Sequence, residues 1–445
     1  MPRGPGAPTS FFARSPRPNR IDLQKHYPEE FVMNIIPRVG KPEDSGFDPA
    51  RLANITNYFR SYVDREKIAG FSTLVSRGGE IAHFETAGHR DRERGLPMEK
   101  DTIFRIYSMT KPITSLALMM LYEEGHFQLN HAVSRYIPSF KKLRVWASGT
   151  AEKYETKPCE REMTIRDLLT HTSGLTYGFM YEHPVDQLYR DAGIEGANTV
   201  GMTLKEMVEA VSEIPLLFSP GEHWNYSVST DVCGHLVEVM SGRPLDEFLT
   251  SRIFAPLGMV DTAFFVPKEK LGRFATNYFK NPKTGKSGIM DVGDETSTYA
   301  QPPKFLSGGG GLTSTMMDYW RFCQMLLNGG ELDGVRICSP KTIEFMTLNH
   351  LPRGKEMKEM SISAFSELAA EGAGFGLGFQ VVLDPAVTQA IGSAGNFSWG
   401  GAASTYFWID PEEDLIAILM TQLYPSSTYP LRPQLQQLVY GAIID

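Results

Sequence analysis

A serine and a lysine stand three residues apart in the segment IYSMTKPIT, residues 106–114. Residues three apart on a helix face the same way, so the Lys111 amine can lie beside the Ser108 hydroxyl. A serine hydroxyl becomes an effective nucleophile when a neighbouring base takes its proton. The pair therefore indicates nucleophilic catalysis, although Ser-x-x-Lys is a short pattern that also arises by chance.

Two further segments could complete such a site. Tyr226, in HWNYSVSTD, precedes a helical pattern, and a phenol near ammonium groups can exchange a proton with a serine. Trp399, Gly400 and Gly401, in NFSWGGAASTYFW, lead into a predicted late strand. Two glycines at the entrance of a strand let a ligand or another backbone approach closely. Taken singly, Tyr226 and Trp399 are each more typical of buried core aromatics.

Other catalytic arrangements have weaker support. The sequence contains no complete G-x-S-x-G segment and so lacks the nucleophile elbow of an α/β-hydrolase. His171, in LLTHTSGL, stands just before a predicted helix stop and is interpreted as a structural turn residue. There is no H-E-x-x-H segment, and His83-x-Glu85 lacks the P-C-x-x-C partner of a zinc deaminase. No metal signature is therefore present.

Composition limits the classes of protein that fit. The chain has 445 residues, of which 42% are hydrophobic and 22% charged, as in a globular protein with a large core. Its 44 basic and 52 acidic side chains give a net charge of −8, which argues against a nucleic-acid partner. The cysteines are far apart and are predicted to be reduced; they are Cys159, Cys233, Cys323 and Cys338.

The location expected from the sequence is cytoplasmic, with no membrane association. No apolar run approaches the roughly 18 residues that a membrane helix needs, and the first twenty residues lack the apolar segment of a secretory signal. Those residues carry four arginines, five prolines and no acidic side chain. Residues 1–44 are accordingly predicted to be a flexible arm and lead-in.

The elements around Ser108 follow from periodicity and turn signals. Residues 70–88 indicate two strands joined at Arg77-Gly78-Gly79, and the apolar pattern after Ser108 predicts a buried helix that ends at Gly125. Ser108 is therefore expected at a strand-to-helix junction. The N–H groups and dipole of a helix start stabilise negative charge developing at the serine.

The rest of the chain changes character twice. Residues 130–350 are helical and rich in loops, with the clearest helices in TDVCGHLVEVMSG and in TIRDLLTHTSGL, where Thr164 is a candidate N-cap and Gly174 a stop. Strands return after about residue 375 in GFGLGFQVVL, STYFWID and DLIAILMTQ, before a helix in LRPQLQQLVYGAIID.

These patterns predict an α/β (α+β) fold. An antiparallel sheet flanked by helices is expected from residues 45–130 and 350–445, with a mostly helical domain inserted as residues 131–349.

The order and spacing of the three motifs resemble those of the serine β-lactamase and penicillin-binding-protein superfamily, in particular its class C branch and the related esterases. Other segments also look like that family, among them SPGEHWNYSVSTDVCGHLVEVMSG and SGGGGLTSTMMDYWRF, so the resemblance spans about residues 45–440. It implies a β-lactamase/transpeptidase-like fold and a serine hydrolase that forms an acyl-enzyme without a metal or an organic cofactor.

The resemblance also implies a role for each site residue. Ser108 would attack an ester carbonyl, while Lys111 and Tyr226 take its proton and pass it to the leaving alcohol. The amides of Ser108 and Ala402 would form the oxyanion hole. Water activated by Tyr226 would release the acid, and Trp399 would form a wall of the acyl or alcohol pocket.

Two departures from the class C pattern favour an ester substrate. The Tyr-x-Asn motif has Val228 in place of asparagine, which removes an amide that would bind a β-lactam side chain. The Lys-Thr-Gly segment, which binds the substrate carboxylate, is replaced by Trp399-Gly400-Gly401. This form is similar to that of family VIII carboxylesterases. The expected substrate is a small, neutral, short-chain carboxylic ester, with weak β-lactam hydrolysis through the shared acylation machinery.

Four alternatives stay open at this point. They are a β-lactamase, a peptidase of D-amino-acid peptides, an acyltransferase of the same fold, and a binding protein that has lost catalysis. The natural substrate, the acyl-chain length and the oligomeric state are not indicated by the sequence.

Overall fold

The structure, a computed structural model, describes residues 39–281, 283–362 and 371–445. Its strands are β1 (Gly70–Arg77), β2 (Glu80–Asp91), β3 (Leu96–Pro97), β4 (Phe104–Arg105), β5 (Arg144–Gly149), β6 (Tyr154–Pro158), β7 (Asn277–Lys280), β8 (Ser287–Asp291), β9 (Thr313–Ser314), β10 (Glu331–Leu332), β11 (Val335–Arg336), β12 (Ala373–Phe375), β13 (Gln380–Val382), β14 (Phe397–Gly400), β15 (Tyr406–Asp410), β16 (Leu415–Met420) and β17 (Leu423–Tyr424).

The α-helices are α1 (Pro49–Leu52), α2 (Asn54–Asp64), α3 (Thr110–Glu123), α4 (Ile165–Leu169), α5 (Pro184–Asp191), α6 (Leu204–Ser212), α7 (Ser229–Ser241), α8 (Leu245–Leu249), α9 (Ala255–Leu257), α10 (Met316–Leu327), α11 (Pro340–Met346), α12 (Met357–Met360), α13 (Pro385–Thr388) and α14 (Leu431–Tyr440). A single π-helical turn, Thr250–Phe254, joins α8 to α9.

The central sheet combines early and late segments of the chain. Among the described residues, eight strands lie in the order β12-β13-β14-β15-β16-β1-β2-β3. The first and last parts meet where β1 pairs antiparallel with β16, with Ser72 opposite Met420 and Arg77 opposite Leu415. The β1–β2 hairpin turns at Gly78 and Gly79, both at positive φ. The predicted antiparallel sheet is therefore confirmed.

Every residue of the central strand β16 is buried, and its side chains alternate between the two faces of the sheet. Ile416 and Ile418 of β16 contribute to the larger hydrophobic core, together with α3, α7 and α10. Leu415, Ala417 and Leu419 face a second core, to which α2 and α14 contribute their apolar sides. The helices therefore flank the sheet, and the predicted nucleophile Ser108 lies in the turn directly before α3.

Some predicted boundaries differ from the structure. Thr164 does cap α4, through a reciprocal capping box with Asp167, but the helix ends at Leu169 rather than near Gly174. It ends early because His171 adopts a left-handed conformation with φ of 54°. GFGLGFQVVL forms two short strands, β12 and β13, rather than a continuous one.

The middle of the chain also contains small sheets. Strands β5–β6 and β10–β11 form two-stranded sheets, and β7–β8 is extended by β17 from the C-terminal part. The division of the chain at residues 130 and 350 stays a prediction, and the arm predicted for residues 1–44 lies outside the described residues as far as residue 38.

All four cysteines are free thiols. In the described part of the chain, no helix combines the length and the apolar composition needed to cross a bilayer.

Candidate active site

Ser108 lies in a short 3₁₀ turn, Tyr107–Met109, directly between β4 and α3. The preceding residue, Tyr107, has a φ of 43°, which is unfavourable for a residue with a Cβ. Its buried phenol oxygen accepts a hydrogen bond from Asn277 Nδ2 at 2.9 Å, which holds the turn in place. This strained turn presents Ser108 to a cavity beside the start of α3.

Lys111 lies one turn further along, behind the serine. Its Nζ donates to Ser108 Oγ at 3.2 Å and to the Gly309 carbonyl at 2.6 Å. The side chain is only 2% exposed, and Nζ lies 4.5 Å from the centre of the Tyr226 ring. A buried amine needs such partners because it has lost its hydration.

Tyr226 approaches Ser108 from the opposite side. Its hydroxyl donates to Ser108 Oγ at 2.6 Å, although 118 residues separate the two in sequence. The neighbouring Asn225 holds the Tyr226 loop in place: its backbone N–H donates to the His171 carbonyl and its side-chain amide to the Leu175 carbonyl. The structure therefore brings the three predicted catalytic side chains together around one hydroxyl.

This arrangement can move the serine proton without a histidine. His171 is buried, and burial followed by the charge of Lys111 lowers its pKa well below the usual value. Its Nδ1 lies 3.2 Å from Ser227 Oγ, and its ring packs against Tyr226 with centroids 5.1 Å apart. His171 therefore supports the tyrosine by packing, in keeping with its interpretation as a structural residue.

The segment from Trp399 to Ala402 lies at the exit of a strand. Trp399 and Gly400 end β14, and Gly401 and Ala402 lie in the turn before β15. The prediction that the glycine pair stands at the entrance of a strand was therefore wrong: the strand that carries the motif is FSWG, which precedes the turn.

Each of these glycines permits a close approach that a side chain would prevent. A Cβ on Gly401 would lie 2.4 Å from the Ile106 carbonyl oxygen, and a Cβ on Gly400 would lie 2.6 Å from Cζ of Arg432. The end of β14 can therefore lie directly against the segment that carries Ser108.

A cavity of about 330 Å³ joins these groups. The predicted residues that line it are Ser108, Tyr226, Trp399, Gly400, Gly401 and Ala402. The indole of Trp399 packs near the Tyr226 ring, with centroids 5.7 Å apart. Lys111 is not among the lining residues and lies beneath the serine.

Val228 does not occupy the position that the sequence interpretation gave it. Its side chain is 1% exposed, belongs to the hydrophobic core and is absent from the cavity lining. It immediately precedes α7, and its N–H donates to the Thr176 carbonyl, which fixes it in the interior. Position 228 therefore lies outside the surface that a substrate in this cavity would contact.

Sequence reasoning missed other residues that line the cavity, among them Arg432 and Tyr177. Nη2 of Arg432, at the start of α14, donates to the Gly401 carbonyl at 2.9 Å and to the Thr405 carbonyl at 3.3 Å. Tyr177 is buried, with its ring centre 5.5 Å from Lys111 Nζ. Neither had a motif to mark it, since Arg432 lies in a segment interpreted only as a C-terminal helix. A guanidinium therefore stands close to the glycine pair, in addition to the indole.

Known proteins resemble this chain over most of its length. The family described as Beta-lactamase matches residues 55–440. Esterase EstB from Burkholderia gladioli is 30% identical over 416 residues, which cover 90% of this chain and 98% of EstB. Monacolin J acid methylbutanoyltransferase from Aspergillus terreus is 28% identical over 387 residues, covering 82% of this chain and 89% of the transferase.

A solved structure has the same fold. That of EstCE1, a hydrolase with promiscuous acyltransferase activity, aligns with a TM-score of 0.72 at 24% identity and covers 89% of this chain and 99% of EstCE1. With the family match over most of the chain, and with the antiparallel sheet and its flanking helices, the chain belongs to the β-lactamase family and is an enzyme of its serine hydrolase fold.

Proposed function

We propose that the protein is a carboxylesterase that cleaves neutral short-chain esters through an acyl-enzyme on Ser108. The observation that carries this proposal is the position of Ser108 Oγ, which lies within hydrogen-bonding distance of both Lys111 Nζ and Tyr226 OH at the cavity wall. Similarity to Esterase EstB supports an ester as the substrate.

Acylation follows from these contacts. Ser108 Oγ attacks the ester carbonyl carbon, and its proton passes to the Lys111 and Tyr226 pair. The bond between the carbonyl carbon and the alkoxy oxygen then breaks, and the same pair returns the proton to the leaving alcohol. Water activated by Tyr226 attacks the acyl-enzyme, which releases the acid and restores the serine.

The N–H groups of Ser108 and Ala402 are assigned as the hydrogen-bond donors to the carbonyl oxygen, which becomes an oxyanion when Ser108 attacks the ester. The Gly401 N–H donates to the Thr405 carbonyl at 2.9 Å and is therefore committed to closing the turn. The next N–H along the chain belongs to Ala402, which lines the cavity with Ser108. Two preorganised N–H donors at this position stabilise the charge that develops on the carbonyl oxygen.

The wall of the cavity favours a small ester without a charge next to the scissile bond. Trp399 places an indole where the class C pattern has a lysine, so a carboxylate bound against it would lose hydration without gaining a cation there. Arg432 also lines the cavity, and its Nη2 donates to the carbonyls of Gly401 and Thr405.

The test is a panel of p-nitrophenyl esters measured beside nitrocefin. We expect kcat/KM to be highest for short acyl chains and higher for p-nitrophenyl butyrate than for nitrocefin. A preference of the wild-type protein for nitrocefin contradicts the esterase assignment. A fluorophosphonate probe should label Ser108, and failure to label it would indicate a binding protein.

Acyl transfer is the second candidate, because a methylbutanoyltransferase is among the relatives. Transfer would use the same acyl-enzyme but give the acyl group to an alcohol instead of water. Adding a small alcohol to the ester assay distinguishes the two reactions. Formation of the new ester faster than the free acid would favour the transferase.

A further inference from the structure

Asp231 is a buried carboxylate that the scheme above does not use. It lies in the first turn of α7, and its side chain is fully buried. Its Oδ1 accepts hydrogen bonds from Ser307 Oγ at 2.6 Å and from the Gly309 N–H at 3.0 Å. Burying a carboxylate is costly unless hydrogen bonds or a nearby cation offset the lost hydration.

Gly309 connects this carboxylate to the catalytic lysine. Its N–H donates to Asp231, and its carbonyl accepts a 2.6 Å hydrogen bond from Lys111 Nζ. The same nitrogen lies 3.2 Å from Ser108 Oγ. A Cβ on Gly309 would lie 2.6 Å from Asp231 Oδ2, so the absence of a side chain allows this close approach.

We propose that Asp231 is a positioning residue for Lys111, which holds the Gly309 carbonyl against Nζ so that the amine faces Ser108. The inference rests on the proposed acyl-enzyme function. A lysine has a flexible four-carbon stem, and a fixed acceptor selects one of its conformations. When the amine is neutral, one of its N–H groups donates to the Gly309 carbonyl. This hydrogen bond orients the lone pair of the nitrogen towards the serine proton.

Asp231 also brings negative charge to the buried amine. The other titratable groups facing this cluster are His171, Tyr177, Tyr226 and Cys233, with Glu195 on the cavity wall. Burial lowers the pKa of His171 and raises the pKa values of Tyr177 and Cys233, which disfavours their charged forms. Burial also raises the pKa of Asp231, whereas the hydrogen bond from Ser307 and the charge of Lys111 lower it.

The first test is Asp231→Asn, because a neutral amide oxygen accepts hydrogen bonds more weakly than a carboxylate, so the hold on the Gly309 N–H is loosened while the shape of the side chain is kept. We expect kcat for p-nitrophenyl butyrate to fall about 10- to 100-fold, with KM changed by less than about threefold. The acidic limb of the kcat/KM profile should move to lower pH, because removing a nearby negative charge makes proton loss from the catalytic groups easier.

The matched control is Asp318→Asn. Asp318 is also a buried carboxylate in the first turn of a helix, but it accepts hydrogen bonds from the Asp261 N–H and the Thr262 hydroxyl. We expect this variant to keep the wild-type kcat and pH profile. An equal change in both variants would show a general effect of losing a buried carboxylate and would overturn the proposal.

A second variant, Gly309→Ala, displaces the carboxylate from the opposite side and should also lower kcat. An Asp231→Asn protein that has a native circular dichroism spectrum, the wild-type kcat and the wild-type pH profile of kcat/KM would overturn the positioning role. If Asp231→Asn does not fold, a fully active Gly309→Ala protein overturns it instead.

Fluorophosphonate labelling of the wild type is measured alongside. Failure to label Ser108 rejects the proposed function itself, whereas a labelled, active wild type with an unaffected Asp231→Asn variant rejects only this inference.

Discussion

At the residue scale, the site depends on one hydroxyl held between two proton-transfer groups. Ser108 Oγ accepts hydrogen bonds from Lys111 and Tyr226. Removing the oxygen in Ser108→Ala should abolish ester hydrolysis and leave the fold intact, because Lys111 keeps the Gly309 carbonyl as a partner. Hydrolysis and circular dichroism measure the two effects, and mass spectrometry should find an acyl adduct on the wild-type peptide. Persistent turnover in the variant would refute the nucleophile.

Lys111 and Tyr226 are expected to act as one unit. Lys111→Ala and Tyr226→Phe should each lower kcat by about 10²–10⁴-fold, and the double variant should be scarcely slower than either. Lys111→Arg should not restore activity, since guanidinium stays protonated at working pH. Kinetics of the four proteins form a double-mutant cycle. Losses that multiply independently would show that the two side chains act separately.

Trp399 is expected to set the preference for esters over β-lactams. Trp399→Lys should raise the ratio of kcat/KM for nitrocefin to that for p-nitrophenyl butyrate, because a cation then faces the β-lactam carboxylate. Val228→Asn is the matched control. Its side chain is buried outside the cavity lining, so the substitution should leave the ratio unchanged and cost about 1–3 kcal/mol of stability. A ratio that moves only with Val228→Asn would reverse the assignment.

At the element scale, the site forms where the end of β14 meets the turn that begins α3. Gly401→Ala places a Cβ 2.4 Å from the Ile106 carbonyl oxygen, so β14 must shift and move the Ala402 amide away from Ser108. We expect kcat to fall by about 10²-fold with little change in KM. Gly272→Ala is the control, because no atom lies within 4 Å of its added Cβ. Wild-type kcat in Gly401→Ala would exclude Ala402 from the oxyanion hole.

At the scale of the whole molecule, stability should depend on pH through Asp318. Burial, followed by the nearby charge of Asp261, raises the pKa of Asp318 from 3.8 to about 7. Folding therefore favours the protonated carboxyl. Its contribution to the free energy of unfolding is complete below about pH 4 and is lost as the pH rises through about 7. The Asp318→Asn variant has no carboxyl group to ionise at this position. Its free energy of unfolding should therefore increase relative to that of wild type by on the order of 1–3 kcal/mol between pH 5 and pH 8. Urea unfolding at both pH values measures this difference, and a difference independent of pH would contradict it.

Local patterns in the sequence determined several features of the protein. The apolar periodicity after Ser108 and the spacing to Lys111 predict a buried helix with both side chains on one face, and the helix and the 3.2 Å contact are both present. Turn signals likewise predict the β1–β2 hairpin. These features rest on interactions between residues close in sequence, whose geometry repeats with the helix and strand periods. The contact between Tyr226 and Ser108 was reached through resemblance to a family, not through periodicity.

Tertiary structure alone decided the remaining features. It placed Arg432 beside Gly401, although the two are 31 residues apart, and Asp231 on Gly309, 78 residues away. It also buried Val228 and put the glycine pair at the end of a strand. Each of these features depends on how distant segments pack against each other. Residue type and local spacing do not determine that packing for an individual position. Composition and periodicity indicate which side chains are buried, but the partner that each one meets is set by the packing of the whole chain.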